Sequence, residues 1–260
     1  MDKEIGILDL DSICFAIFNP NKVLDEFGIP LRQDDKFVYQ EKNEQEIIDS
    51  AEFIMNNILL ESKCTHYLGY IKGKGNFRYS IKDDYKANRP KESPKWWSFV
   101  KQYLIDNWKA IEVNDYEVDD AVYTVSTMFP ENSFIIAIDQ DLLSLPGTHY
   151  NWKKKEWITV NADESTLKFW RDMIIGQSSD GISGLKGKGK VYAENLVSGT
   201  PYNLLPKVIF DEYLKSLGEY SGINEFYKNY SCLKLVSVPN LYIPEPFKFN
   251  FKVSNYDKVT

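Results

Sequence analysis

The sequence predicts an α/β fold, a mainly parallel sheet covered by helices, with a mainly helical lobe from about residue 175. Three observations carry this. Short apolar runs alternate with segments whose apolar positions recur at helical spacing, the pattern of strands joined by crossover helices. Acids recur where those runs end. Beyond residue 175 the character changes, with Gly181, Gly184, Gly187 and Gly189 punctuating a lysine-rich turn.

Taken in order, Ile5 to Leu10 is a short apolar run ending in acid, which reads as a buried strand with its carboxyl end at a polar edge. Residues 19–45 read as an excursion. From Glu44, Ile47, Ala51, Ile54 and Ile58 recur at helical spacing, and Thr65 to Tyr70 reads as a second strand. Trp97, Val100, Leu104 and Trp108 mark a helix, Ala110 to Val113 a strand, Asp119 to Met128 a helix and Phe134 to Ile138 a β-branched buried strand. Asn151 to Val160 reads as a hairpin or edge ribbon, and Leu167, Trp170 and Ile174 stripe one more helix. Helical segments then run to about Tyr230, before a tail with Pro239, Pro244 and Pro246.

At 260 residues, 43% hydrophobic and 15% aromatic, the chain is long and apolar enough for a sizeable core, which excludes intrinsic disorder as its main state. The net charge of −7 argues against binding nucleic acid by bulk charge. Cys14, Cys64 and Cys232 fit neither a disulfide framework nor a zinc site. No run approaches the roughly 18 apolar residues of a membrane span, and the first strand is too short for a signal segment. The expectation is a soluble, cytoplasmic protein without a membrane partner.

The acids are Asp9 and Asp11 after the first strand, Glu117, Asp119 and Asp120 opening a helix, Asp139 and Asp141 after the fourth strand, and Asp180 in a glycine-flanked loop. Any one of them alone reads as a cap or a solvated group. Ligands bind at the carboxyl edge of an open parallel sheet, so these distant acids converge there if the fold is right. Glu117 and Asp120 share a helix face, and Asp139 and Asp141 point the same way from an extended segment. Crowded carboxylates repel unless cations neutralise them, and hard oxygen ligands select Mg²⁺ or Mn²⁺. Two such ions suit phosphodiester hydrolysis.

Basic residues concentrate elsewhere. From Lys72 to Lys109 there are ten Lys or Arg against four acids, interleaved with Phe77, Tyr79, Tyr85, Trp96 and Trp97. That mixture suits single-stranded nucleic acid, though a solvated helix face reads the same way. In the segment from Gly181 to Lys190, the glycines permit close backbone approach, while Lys186, Lys188 and Lys190 add charge for a phosphate backbone.

At these residues the sequence resembles the 5′ nuclease superfamily, which includes flap endonucleases and the 5′ nuclease domain of bacterial DNA polymerase I. It is most similar to the bacteriophage 5′-to-3′ exonuclease branch. The motifs are Ile-Leu-Asp9-Leu-Asp-Ser; Phe77-Arg78 with Tyr85-Lys86-Ala-Asn-Arg89; Glu117-Val-Asp119-Asp120; Ile138-Asp139-Gln-Asp141; Leu145-Pro-Gly-Thr-His149; and Gly176-Gln-Ser-Ser-Asp180-Gly with the glycine-lysine turn. They span about residues 5 to 197.

The resemblance implies a PIN-like core over residues 1–175, with a helical arch at about 72–109, and a DNA-binding lobe with a helix-two-turn-helix over 176–260. It implies a metal-dependent 5′ exonuclease or flap endonuclease acting in phage replication or recombination on DNA with 5′ ends, flaps or nicks, with RNA in hybrids as a further substrate. Asp9, Glu117, Asp119 and Asp120 would serve one ion and Asp139, Asp141 and Asp180 the other. Lys86 and Arg89 would contact the scissile phosphate and Tyr85 would stack on a frayed base. Gly184, Lys186, Gly187, Lys188, Gly189 and Lys190 would hold the duplex, with a potassium ion at that turn.

The chain departs from the family in two places. An acid is usual just after the second strand, where this chain reads Leu68-Gly69-Tyr70, and another where it reads Gln177. Asp11 would compensate for the first, on Asp9's side of an extended strand, and Gln177 keeps an oxygen. Two alternatives follow: a weakly active or inactive member that binds branched or 5′-ended nucleic acid, and, from Asp9-Leu-Asp11, a haloacid-dehalogenase-type phosphatase.

Overall fold

The computed structural model describes residues 5–90 and 92–250. Strand β1 (Ile5–Asp9) is buried along nearly its whole length, and helix α1 (Leu10–Phe18) follows without a loop. Asp9 ends the strand and caps the helix, its carboxylate accepting the Asp11 N–H at 3.0 Å. The sequence expectation, a strand over Ile5 to Leu10 and an excursion over 19–45, assigned no element to the residues between and missed α1. The reason is physical: Leu10, Ile13, Cys14 and Ile17 are all buried on one face, a helical spacing behind two acids that looked like a strand end.

The excursion is a ribbon of two nested antiparallel pairs, β2 (Asn21–Lys22) with β5 (Tyr39–Gln40) and β3 (Arg32–Gln33) with β4 (Lys36–Phe37). Helix α2 (Glu44–Glu61) starts with a capping box between Asn43 and Glu46. Strand β6 (His66–Lys72), the four-residue helix α3 (Arg78–Ile81), helix α4 (Trp97–Trp108), strand β7 (Ile111–Val113), helix α5 (Val118–Met128) and strand β8 (Ser133–Ala137) follow. Next come the hairpin β9 (Gly147–Asn151) and β10 (Glu156–Val160), helix α6 (Ala162–Ile175), and a two-strand turn of β11 (Gly176–Gln177) and β12 (Ile182–Ser183). Helices α7 (Lys190–Ser198), α8 (Leu205–Leu217) and α9 (Glu219–Leu233) and strand β13 (Phe247–Lys248) complete the order.

The main sheet runs β10-β9-β8-β1-β6-β13, with β7 beside β13 on the outer edge of β6. The pairings β1–β6, β1–β8, β8–β9 and β6–β7 are parallel; the two ends of the order, β10–β9 and β13–β6, are antiparallel. Helices α1, α2 and α4 cover one face through Ile13, Met55, Leu59 and Leu104. Helix α5 covers the other through Val118, Val122 and Val125, joined by Val238 from the tail. The central parallel strands therefore end at one common edge, which carries Asp9, Lys72 and the turn after Ala137.

A third core includes residues on both sides of the expected boundary at 175. Trp170, Met173 and Ile174 of α6 pack with Leu185, Ala193, Leu205 and Tyr213, so the helical lobe gathers from residue 162. The tail leaves the lobe and returns to the sheet, where Phe247 pairs with Tyr67. Its last ten residues, 251–260, lie outside the described residues. Within the expected arch region, α4 belongs to the body, its Val100, Leu104 and Trp108 buried in the first core. The stretch before it is pinned by two buried side chains, Arg78 and Tyr85.

Candidate metal and nucleic-acid site

Asp9, Asp11, Glu117, Asp119, Asp139, Asp141 and Asp180 line one cleft of about 630 Å³ at the carboxyl edge of the parallel strands, together with Lys72, Lys86, Arg89 and Gln177. The fold delivers each acid by a different route: a strand end (Asp9), the first turn of α1 (Asp11), the N-cap and first turn of α5 (Glu117, Asp119), the turn after β8 (Asp139, Asp141) and a short 3-10 turn before β12 (Asp180). Asp11 reaches the cleft from a helix and not, as expected, along an extended strand. Its Oδ1 accepts the backbone N–H of Lys72 at 2.9 Å, which sets it beside the end of β6.

One expected ligand is directed elsewhere. Asp120 is fully buried and faces Arg78, with contacts of 2.5 Å to Nη1 and 2.9 Å to Nη2, and it also accepts the Val236 N–H at 3.0 Å. It is the anchor of α5, not a cleft ligand. Helical geometry gives the reason, since Asp119 and Asp120 are adjacent and must point about 100° apart. Arg78, whose role the sequence reading missed, has no exposure and also donates to the carbonyls of Cys232 and Lys234, tying α5 to the end of α9.

Tyr85 is likewise corrected. Its ring is 3% exposed and packs with Ile182 and Cys232, which removes it from base stacking. Its hydroxyl donates to Asp180 at 3.1 Å and to Glu117 at 3.2 Å. The neighbouring aromatic open to solvent is Tyr79, 44% exposed. Lys86 sits in the left-handed region at φ 56°, and its N–H donates to the Asp180 carbonyl at 2.9 Å. That turn is clasped by Gly181, where a Cβ would lie 2.9 Å from the Asp84 carbonyl oxygen. The Lys86 ammonium pairs with Glu117 and lies 3.4 Å from Asp180, while Arg89 reaches Asp180 at 2.6 Å. Burial pushes Glu117 up, but Lys86 and Arg78 outweigh it and hold its carboxyl below the usual range.

The first group of acids has no such partners. Among the described residues no ion pair forms to Asp9, Asp11, Asp119 or Asp139. Burial, then the charge of Asp11, pushes Asp9 up to about 7. Desolvation pushes Asp11 up to about 6 against the Lys72 amide. Desolvation and the charges of Asp9 and Asp139 hold Asp119 well above a normal aspartate. Such crowding stores the attraction that a hard dication would satisfy. The acids line the cleft without closing on one point, since no preformed cluster of three metal-ligating side chains occurs among the described residues. Mg²⁺ suits that spacing, because it keeps several waters and takes one or two carboxylates. At this position the residues fit a divalent ion. The position of Asp141, Asp180 and Gln177 fits poorly, since its acids already hold cationic partners.

The glycine-lysine turn packs onto α6. A Cβ at Gly184 would lie 2.2 Å from the Ile175 carbonyl carbon, and the Leu185 N–H donates to Ile174 O at 2.8 Å. Gly187 takes φ 77° and Gly189 caps α7. Lys186 and Lys190 are exposed. Lys188 turns inward to the buried Glu212 and to Tyr192, so its ammonium supports the lobe and is not presented to a duplex as expected.

No family model matches the chain. It is 26% identical over 149 residues to a 5′-3′ exonuclease of Mycoplasmopsis pulmonis, which covers 51% of this chain and 50% of that protein. It is 26% identical over 179 residues to DNA polymerase I of Caldicellulosiruptor bescii, covering 60% and 19%. The chain thus spans half or less of these curated relatives. Among solved structures it is similar to the bacteriophage T5 D15 protein co-crystallised with metal ions (15% identity, TM-score 0.60, 87% of this chain and 89% of that one). It is also similar to the catalytic core of Rad2 in complex with DNA substrate (14% identity, TM-score 0.52, 96% and 83%). The chain has the PIN-like fold of these solved structures, and the curated relatives it is similar to are a 5′-3′ exonuclease and a DNA polymerase I.

Proposed function

We propose that the protein is a divalent-metal-dependent 5′ nuclease that hydrolyses phosphodiester bonds of DNA at 5′ ends, flaps or nicks, in the replication or recombination setting of a phage-type enzyme. The observation that carries this is the cleft itself: carboxylates at the carboxyl edge of a parallel sheet that form no ion pair among the described residues, beside Lys86 and Arg89. Asp9, Asp11, Asp119 and Asp139 would hold Mg²⁺ or Mn²⁺, which supplies a Lewis acid and an activated water at neutral pH. Lys86 and Arg89 hold the scissile phosphate, releasing their carboxylate partners as they do so. The charge they neutralise grows toward the transition state, so they favour it over the ground state. Backbone amides from Gly184 to Gly189, with exposed Lys186 and Lys190, grip the duplex phosphates in any sequence. A potassium ion at that turn belongs to the same proposal.

Polarity and metal use test it together. With Mg²⁺ or Mn²⁺, a 5′-labelled flap should release a short labelled product, a 3′-labelled flap of the same length should stay intact, and EDTA should stop the reaction. Retained binding with no cleavage at any metal concentration would favour the second reading, a binding-only protein, whose support is Gln177 and the buried Tyr70 at the two family acid positions. The phosphatase alternative leaves Lys86, Arg89 and Glu117 without a task.

A further inference from the structure

We infer, resting on the nuclease reading above, that the cleft binds one divalent ion, at Asp9, Asp119 and Asp139, and that the ammonium of Lys168 stands in the place of a second. The carboxylates divide into two groups that differ in what already neutralises them. Asp9, Asp119 and Asp139 form no ion pair among the described residues. Asp141 and Asp180 are surrounded by protein cations.

Lys168 projects from α6, where it lines a second cavity of about 380 Å³ that meets the cleft at Glu117, Asp119, Asp141, Gln177 and Asp180. Its Nζ lies 2.6 Å from Asp172 Oδ2 and 3.2 Å from Asp141 Oδ1. Asp172 is one turn along the same helix, so it holds the ammonium at the cleft wall independently of Asp141. The other oxygen of Asp141 accepts from Gln177 Nε2. With no metal cation on Asp141 the amide presents its N–H to the carboxylate, and its oxygen faces away. An N–H offers no lone pair, and Gln177 in this orientation cannot ligate a cation bound to Asp141. Asp180 is satisfied in the same way, by Arg89 at 2.6 Å, the Tyr85 hydroxyl at 3.1 Å and Lys86 at 3.4 Å.

At this end of the cleft Lys86, Arg89 and Lys168 stand among Glu117, Asp141, Asp172 and Asp180 and pair with each of them. A dication entering there must displace these paired cations and strip hydrogen-bonded donors from Asp141 and Asp180, whereas at Asp9, Asp119 and Asp139 it relieves repulsion. A tethered ammonium supplies positive charge beside the reacting phosphate without depending on ion concentration. Cleavage should therefore rise with Mg²⁺ with a Hill coefficient near 1.

Electron paramagnetic resonance titration with Mn²⁺, reading free ion against protein added, tests this on the folded full chain. Wild type is expected to saturate at one Mn²⁺ per chain and the K168M/Q177D variant at two. A remote pair with the same charge change, K95M/Q45E, should remain at one. K168M alone, which keeps Gln177 and the fold of α6, should tighten the second ion at least ~10-fold. Two ions on wild type with affinities within about tenfold of each other, or no gain in either Lys168 variant, would overturn the inference while leaving the nuclease reading intact. Absence of any tight Mn²⁺ on wild type would overturn both.

Discussion

Asp119→Asn should lower cleavage of a 5′ flap by about 10³-fold or more while leaving duplex binding in metal-free buffer nearly unchanged, a loss matching the several kcal/mol that a bound ion supplies. Asn keeps the shape and one neutral oxygen, so the fold has no reason to change. The same substitution should stabilise the metal-free protein. Asp9 and Asp119 have raised pKa values in the folded state, through burial first and neighbouring acids second. A raised acid keeps in the folded state a proton that the unfolded chain has released. Stability therefore falls as pH rises from about 4 toward the folded value of about 7 for Asp9. Replacing Asp119 removes a second acid whose folded-state pKa is raised, which flattens the slope. Urea unfolding in EDTA at pH 5.5 and pH 8 should show a large drop for wild type and a smaller one for the variant, with Mg²⁺ rescuing wild type more strongly at pH 8. Greater activity than wild type, or a steeper pH dependence, would contradict the site.

Arg78→Met should cost about 3–5 kcal/mol, because it leaves Asp120 as an unpaired buried charge. It also strands the carbonyls of Cys232 and Lys234 without their donor. For a chain of this size the melting temperature should fall on the order of 10 °C. The double variant R78M/D120L, apolar on both sides, should recover much of that loss, which separates the cost of an orphaned charge from the value of the pair. A drop below about 1 kcal/mol for the single variant would mean that Asp120 has another partner and that its assignment as an anchor is wrong.

The contrast between Asp119 and Asp120 also marks what could be read from sequence. Acids at strand ends and a helix start were legible because a parallel sheet gathers such positions at one edge, and Asp9, Asp119, Asp139 and Asp141 do share the cleft. Which of two adjacent acids faces it was not legible, since that depends on Arg78, 42 residues away, and on a chain end returning past α9. Tyr85 failed for a related reason: a basic, aromatic segment reads as a nucleic-acid surface, and only packing against Ile182 reveals a buried ring. Lys168 looked like any lysine on an amphipathic helix, and its meaning arises when Asp141 and Asp172 meet it from two sides. The central strands β1 and β8 were the easiest to read because they are buried on both faces and mostly apolar. Helix α1 was within reach through its apolar spacing and was lost to the two acids in front of it.

On the proposed reading, the acidic edge of the sheet binds a catalytic divalent ion. Crystals soaked in Mn²⁺ and measured at the manganese absorption edge test it most directly. An anomalous peak within coordination distance of Asp9, Asp119 and Asp139 is the expected result. A cleft without manganese, or manganese bound only outside it, would contradict the account.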